Sequence, residues 1–332
     1  LIKELKLNKD SFNNIETVYI GGGTPSNLPI NLLETLFIAI NDVINMDKFV
    51  EFTIETNPND ITMEKAELFH KYNINRVSVG VQTFNESHLT FLGRTHNKKD
   101  VVNAVSNLKA AGIHNINVDM IFSLIKQTKE ELSDDLKEVL KLDITHISYY
   151  SLILEEKTTL YHLYNQNKVS MNSEDLEGLM YNIVIDSLVD AGFQHYEISN
   201  FCKTGKESKH NTIYWTNLNY LGLGSGSHSL IDGKRYYNES NVTKYINNML
   251  NDMNEFKVEY ETEPLREELI MGLRLLKGIN IEYINTKYNI NVLEDYIELN
   301  DFIEKGLLVL ENGNIHFTRS GLMLGNLVFG IF

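Results

Sequence analysis

The sequence predicts an α/β protein: a parallel sheet built from βαβ units, followed by a smaller α+β module at the C-terminal end. Two observations carry this. Runs of β-formers alternate with amphipathic helical patterns at roughly 30–35 residues per unit, the length that a parallel crossover needs. After the acidic stretch Asn251–Glu263 the pattern changes to three helical segments and two short strands about Asn312-Gly313, an order that suggests a winged-helix-like module.

The first strand, Val18-Tyr19-Ile20, runs into Gly21-Gly22-Gly23-Thr24-Pro25 and then into a helix with Leu32, Leu33, Leu36, Phe37 and Ile40 on one face. Glycines without Cβ atoms bring amide N–H groups close to a ligand and accept positive φ; taken alone, the same residues also suit a tight βα turn. Val50–Ile54 reads as the second strand and Thr62–Tyr72 as a helix, Arg76–Val81 as the third strand and Lys98–Ala111 as a helix closed by Gly112. Asn115–Phe122, Lys129–Leu142 and Ile144–Tyr150 continue as strand, helix and strand. Right-handed connections are expected throughout. The helix Glu174–Ala191, closed by Gly192, leads to a sixth candidate strand, Gln194–Ile198. Asn200–Asn219 is polar and aromatic, Tyr220–Ser229 is glycine-rich, and Val242–Leu250 is helical. In the C-terminal module, helices are expected at Leu265–Leu276, Ile281–Tyr288 and Val292–Lys305, with strands at Leu307–Leu310 and Ile315–Phe317.

The chain has 332 residues, enough for one large and one small domain. The expected boundaries are 1–200, 201–262 and 263–332. With 42% hydrophobic and 23% charged residues the composition is that of an ordinary soluble globular protein. No apolar run approaches the ~20 residues of a membrane span, and no signal peptide is visible. Cys202 is the only cysteine, so no intrachain disulfide forms, which fits a reducing cytoplasm. A net charge of −15 speaks against a nucleic-acid partner. Residues 261–332 carry six basic and eleven acidic side chains, so the C-terminal module offers no basic surface for DNA either.

Ligands of parallel α/β sheets sit at the carboxyl ends of the strands. There this sequence places Gly21–Pro25, Glu55-Thr56-Asn57-Pro58, Gly80-Val81-Gln82, Asp119 and Tyr149-Tyr150-Ser151. Glu55 and Gln82 each also read as ordinary strand-end or turn residues, and Arg94 as a surface arginine. Asp119, inside the apolar run Val118–Phe122, costs several kcal/mol unless paired or hydrogen-bonded. It is either a site residue or half of an ion pair with Arg76 or Arg94. Together, carboxylates, glycine backbone and an arginine suit a zwitterionic ligand that carries an amine, a carboxylate and a ribose.

IGGGTP (Ile20–Pro25), Glu55–Pro58, SVGVQTF (Ser78–Phe84), LGRTH (Leu92–His96) and NVDMI (Asn117–Ile121) resemble, in order and spacing, the oxygen-independent coproporphyrinogen III oxidase-like family of radical S-adenosylmethionine proteins. The resemblance spans essentially the whole chain. It implies a partial (β/α)6 barrel, open on one side and here lacking its first strand, with a winged-helix-like C-terminal domain. It implies that Gly22, Gly23 and Thr24 meet the amino-acid end of S-adenosylmethionine, and that Glu55, Gln82, Arg94, Asp119 and Ser151 continue the pocket. It also implies a 4Fe-4S cluster held by a CxxxCxxC loop after the first barrel strand. That motif is absent from this sequence and is expected N-terminal to Leu1, so the chain in hand is expected to bind no cluster and to generate no radical.

His210-Asn211-Thr212-Ile213-Tyr214-Trp215, an HNxxYW motif, with Tyr220–Gly224 and Ser227-His228-Ser229, resembles the heme-chaperone branch of the family. Imidazole ligates heme iron, and aromatic faces stack on a porphyrin. His210 is the first candidate ligand, with His195 and His228 behind it; the alternative is a packed histidine that holds its loop in place. The expected function is therefore binding of heme and its transfer to acceptor proteins, with membrane contact only peripheral, through an acceptor. The alternative is a coproporphyrinogen oxidase that converts propionates to vinyl groups, in which case the chain is an oxidoreductase.

Overall fold

The computed structural model describes residues 1–45, 51–251, 253, 256–261 and 263–332. Val50, expected to begin the second strand, and positions 252, 254, 255 and 262 of the acidic stretch lie outside the described residues. The backbone divides into two units, one of residues 18–34 and 51–207 and one of the remaining described residues.

The first unit is organised on strands Thr17–Ile20 (β1), Glu51–Thr56 (β2), Arg76–Gln82 (β3), Asn115–Phe122 (β4), His146–Ser151 (β5), Gln194–Glu197 (β6) and Asn200–Cys202 (β7). Among the described residues they form one sheet in the order β1-β2-β3-β4-β5-β7-β6. β2 to β5 are parallel neighbours, as the alternation predicts. The connecting helices start where their sequences say they should. Asn97 with Asp100 and Thr128 with Glu131 form reciprocal capping boxes at Lys98–Ala110 and Lys129–Val139.

The sixth strand departs from expectation. β6 turns back through Ile198-Ser199 into β7, which pairs antiparallel with both β6 and β5. Two linking residues permit a hairpin and never a parallel crossover. The Glu197 carboxylate fixes the turn by accepting from Ser199 N–H at 2.9 Å and from the Asn200 amide.

Each central strand alternates strictly. Phe52 and Ile54, Val77 and Val79, Ile116, Val118 and Met120, and Ile147 and Tyr149 are all buried on one face of the sheet. The helix Glu174–Asp190 packs against β4 and β5, with Tyr181 stacked on Phe122 at 5.8 Å. The other face is polar. Register places Glu55, Ser78, Asn117 and His146 in one row across four strands, and Gly80, Asp119 and Ser148 in the next row toward the strand ends.

The second unit contains two antiparallel sheets. His228–Ile231 (β8), Lys234–Tyr237 (β9) and Lys257–Glu261 (β10) pair in the order β10-β9-β8. Part of the acidic stretch Asn251–Glu263 is therefore a strand. The third sheet, Ile279–Asn280 (β11), Leu308–Glu311 (β12) and Asn314–Phe317 (β13), has the order β11-β13-β12. With helices Pro264–Gly272, Ile281–Tyr288 and Glu298–Glu304 it gives the winged-helix-like arrangement around a core of Leu269, Ile284, Leu299, Leu308 and Ile315. Asn312-Gly313 makes the expected hairpin turn with both residues at positive φ. The expected helix Val292–Lys305 is interrupted at Tyr296, whose backbone leaves helical angles (φ −117°, ψ 69°) while its ring packs edge-on against Phe332. In the same unit the fully buried Glu4 carboxylate accepts from Gly224 N–H, Asn238 Nδ2 and Tyr245 Oη.

Candidate functional site

The carboxyl ends of β1 to β5 gather the polar groups named from the sequence. Gly22 and Gly23 have φ of +80° and +68°, and a Cβ on either would meet nothing within 4 Å, so bare backbone faces open space. Gly21 is needed for a different reason, because a Cβ there would stand 2.9 Å from Glu55 Oε1. Glu55 is held from two sides: Tyr19 Oη donates to Oε1 at 2.6 Å and Gly22 N–H donates to Oε2 at 3.2 Å. Burial and the neighbouring Glu55 carboxylate push the Tyr19 hydroxyl above its ordinary range, so it remains a donor. Thr24 leads into the short turn Pro25–Asn27, whose buried Ser26 hydroxyl donates to Asp60 at 2.8 Å.

Asp119 forms no ion pair with Arg76 or Arg94. Among the described residues its carboxylate is compensated by Ser78 Oγ, which donates at 2.7 Å, and Asn117 Nδ2, which donates at 2.8 Å. The polarity of the whole chain of bonds then follows. Asn117 Nδ2 also reaches Ser78 Oγ at 2.7 Å, so the amide oxygen is the acceptor for His146 Nδ1–H at 2.5 Å and for Ser148 Oγ at 3.2 Å. His146 Nε2, lacking a proton in that tautomer, accepts from Tyr196 Oη at 2.8 Å. Complete burial lowers the His146 pKa well below its ordinary value, with the Arg76 charge adding to the effect, so the ring stays neutral. Asp119 thus ends an ordered donor relay with one bond on each oxygen, and a carboxylate retains lone pairs for a ligand.

Gln82 sits at φ +69° beside a register irregularity between Gly80 and Gln82. Its amide lies where a Cβ on Gly80 would be, 2.9 Å away, which explains that glycine. Left-handed backbone at a residue other than glycine costs of order 1 kcal/mol and is concentrated at ligand sites. Arg94 Nη1 donates to Asn57 Oδ1 at 3.0 Å, joining the loops after β3 and β2. Ser151 departs from the group: its hydroxyl donates to Glu177 on the helix Glu174–Asp190.

Sequence reading missed Tyr19, Ser78, Asn117, His146 and Tyr196, and named Arg76 only as an ion-pair partner. Arg76 is 2% exposed, and among the described residues its buried Nε has no hydrogen-bond partner. Its register neighbour Thr53, fully buried, likewise has an unpartnered hydroxyl. The missed signal was polar residues at alternate positions, as in Arg76-Val77-Ser78-Val79-Gly80 and Asn115-Ile116-Asn117-Val118-Asp119.

In the second unit, His210 lies on the helix Lys209–Trp215, capped by Ser208. Both ring nitrogens are engaged: Nδ1 with Thr17 Oγ1 at 2.7 Å and Nε2 with Tyr214 Oη at 2.8 Å. Iron ligation by His210 therefore requires one of these bonds to break. Tyr214 lies edge-on to Tyr220 at 4.7 Å, and the Arg274 guanidinium stands 4.2 Å from the Trp215 ring. His195 belongs to the first unit, stacked on Phe201 at 4.2 Å.

The open glycine backbone and the carboxylates of Glu55 and Asp119 fit a ligand with amine and hydroxyl groups. A cluster is another matter. Among the described residues no set of His, Cys, Asp and Glu side chains could hold a metal ion. Cys202 is fully buried in β7, and burial, with Glu207 adding to it, pushes its thiol up to about 12. Its thiol is protonated and enclosed, unlike a thiolate ligand, and the described residues include no other cysteine.

The fold is thus a largely parallel α/β sheet, with a glycine turn and carboxylates at its strand ends, together with a winged-helix-like module. Residues 1–139 match the radical SAM superfamily and residues 261–324 match the HemN C-terminal domain. The heme chaperone HemW of Lactococcus lactis is 38% identical over 321 residues, covering 96% of this chain and 84% of that protein. HemW of Bacillus subtilis is 37% identical over 325 residues, covering 96% and 86%. The structure of coproporphyrinogen III oxidase (HemN) from Escherichia coli, a radical SAM enzyme, aligns with a TM-score of 0.84 at 18% identity, over 99% of this chain and 81% of that one. This chain belongs to the HemW group of HemN-like radical SAM proteins.

Proposed function

We propose that this protein is a heme chaperone: it binds heme and passes it to acceptor proteins. The observation that carries the reading is identity of 37–38% to two proteins named heme chaperone HemW, sustained over 96% of the chain and therefore across both the strand-end site and the aromatic segment. S-adenosylmethionine is the ligand proposed for the first unit. Gly22, Gly23 and Thr24 take its amino-acid end through main-chain groups. Glu55 and Asp119 accept from its amine and hydroxyl donors, while Gln82 and Arg94 complete the wall. Bound together with a 4Fe-4S cluster, the ligand supplies reductive cleavage chemistry in this superfamily; the residues of this chain bind and orient it. The cytoplasm is the proposed location, and no described helix is long and apolar enough to cross a membrane.

The test is transfer. Heme-loaded chain is mixed with the apo form of a b-type cytochrome at increasing concentration. A transfer rate that rises with acceptor concentration supports direct delivery. A rate that stays constant means heme merely dissociates into solution, and the chaperone reading fails.

A further inference from the structure

The chain leaves β3 through a strained turn. Thr83 N–H donates to Val81 C=O at 2.9 Å, and between them Gln82 holds φ +69°, so Val81–Thr83 is a γ-turn of the rare type with positive φ at its centre. A residue other than glycine stays in that region only when its surroundings hold it there. Two side chains from different segments do so. His96, 5% exposed, places Nε2 3.0 Å from the Val81 carbonyl oxygen. That oxygen only accepts, so Nε2 carries the proton and donates. Beyond the turn, the buried Asp135 on the helix Lys129–Val139 accepts from Thr83 Oγ1 on one carboxylate oxygen and from Phe84 N–H on the other, each at 2.7 Å. Thr83 Oγ1 in turn accepts from Asn85 N–H at 3.0 Å, which leaves its own proton for Asp135.

These anchors fall on residues 81, 83 and 84, to either side of Gln82. The pairing of β3 with β4 passes from Gly80 opposite Asp119 to Gln82 opposite Met120, so one residue is inserted there. Met120 is a core residue, and an ordinary strand would send its register neighbour to the same packed face. The Gln82 amide goes elsewhere. It lies 2.9 Å from where a Cβ on Gly80 would stand, on the polar face that Gly80 shares with Asp119. The turn is thus what carries this amide across to the strand-end site.

Resting on the proposal of S-adenosylmethionine as ligand of the first unit, we infer that His96 and Asp135 are positioning residues of its pocket: they clamp the γ-turn and so keep the Gln82 amide over Gly80, in the row that holds Asp119. Both act through Gln82 and not on the ligand.

The experiment is calorimetric titration of the full chain with S-adenosylmethionine, combined with hydrogen exchange at the Thr83 amide. His96→Ala removes the donor on Val81 and should weaken binding at least about fivefold, whereas His96→Gln, whose amide nitrogen reaches about as far as Nε2, should bind within about twofold of the wild type. Asp135→Ala and Asp135→Asn form a second such pair, since asparagine keeps an oxygen for Phe84 N–H. Coupling is the readout that a merely structural role would not give: in a Gln82→Ala background, His96→Ala should cause no further loss of affinity. Additive losses in that double variant, or unchanged affinity in either single alanine variant of His96 and Asp135, would overturn the assignment while leaving the ligand in place. If the wild-type chain binds no S-adenosylmethionine, the ligand reading itself falls, and exchange then decides the clamp alone. The clamp stands if the Thr83 amide exchanges at least about tenfold faster in His96→Ala than in the wild type, and it is overturned if the two rates agree.

Discussion

Asp119 and His146 lie on adjacent strands and are joined through a single amide. Asn117 donates to the carboxylate of one at 2.8 Å and accepts from the imidazole of the other at 2.5 Å. Because every donor in this relay has one acceptor available to it, the network has a single consistent proton arrangement and holds Asp119 in one orientation. Asn117→Ala would leave a buried imidazole N–H without an acceptor and would remove one of the two bonds that orient Asp119. We expect a loss of about 2–4 kcal/mol in stability by urea unfolding, and S-adenosylmethionine affinity about tenfold weaker by calorimetry. An unchanged urea midpoint would show that the relay is incidental.

Glycine substitutions separate backbone strain from ligand contact. Gly22 and Gly205 both have positive φ, +80° and +73°, and at both a Cβ meets nothing within 4 Å. Alanine at either position should cost about 1–2 kcal/mol of backbone strain. Only Gly22→Ala should also weaken S-adenosylmethionine binding, by at least about tenfold, since its methyl group occupies the space proposed for the ligand. Equal affinities in the two variants would remove Gly22 from the site.

Asp135 gives a pH dependence of uncommon sign. It is 2% exposed and accepts from Thr83 Oγ1 and Phe84 N–H, each at 2.7 Å. Burial pushes its carboxyl up to about 6, against the opposing pull of those hydrogen bonds. Between the ordinary carboxyl value and that one, the folded chain holds a proton that the unfolded chain releases. The group's contribution is therefore fully present at pH below about 4 and is lost as pH rises through 6, by an amount of order 2–3 kcal/mol. In urea midpoints measured from pH 4 to 7.5, Asp135→Asn should gain on the wild type as pH rises. A difference that shrinks with rising pH would contradict the assignment.

Much of this was legible in the sequence, and the reasons for the gaps are physical. The rim was readable because glycines, Glu55 and Asp119 interrupt apolar runs at the ends of strands, where chemistry stands out against packing. The interior of the polar face was not, although Arg76, Ser78, Asn117 and His146 repeat at the period of a strand. Judged by their apolar residues alone, β3 and β4 pass for fully buried runs, and the alternate polar positions disappear into them. Short strands such as Asn200–Cys202 and Lys234–Tyr237 carry little propensity of their own and exist through pairing with neighbours. The role of His210 was open between ligand and packed residue, and only the geometry reveals bonds on both ring nitrogens. A cavity in the same unit combines residues as far apart in sequence as Tyr214 and Met271, which no local pattern brings together.

The central claim, that this chain carries heme, is tested most directly by titrating the purified full chain with ferric heme and following the Soret band. The account predicts saturation at one heme per chain, with a band distinct from that of free heme in the same buffer. Spectra that remain the sum of free heme and protein at every ratio would contradict it.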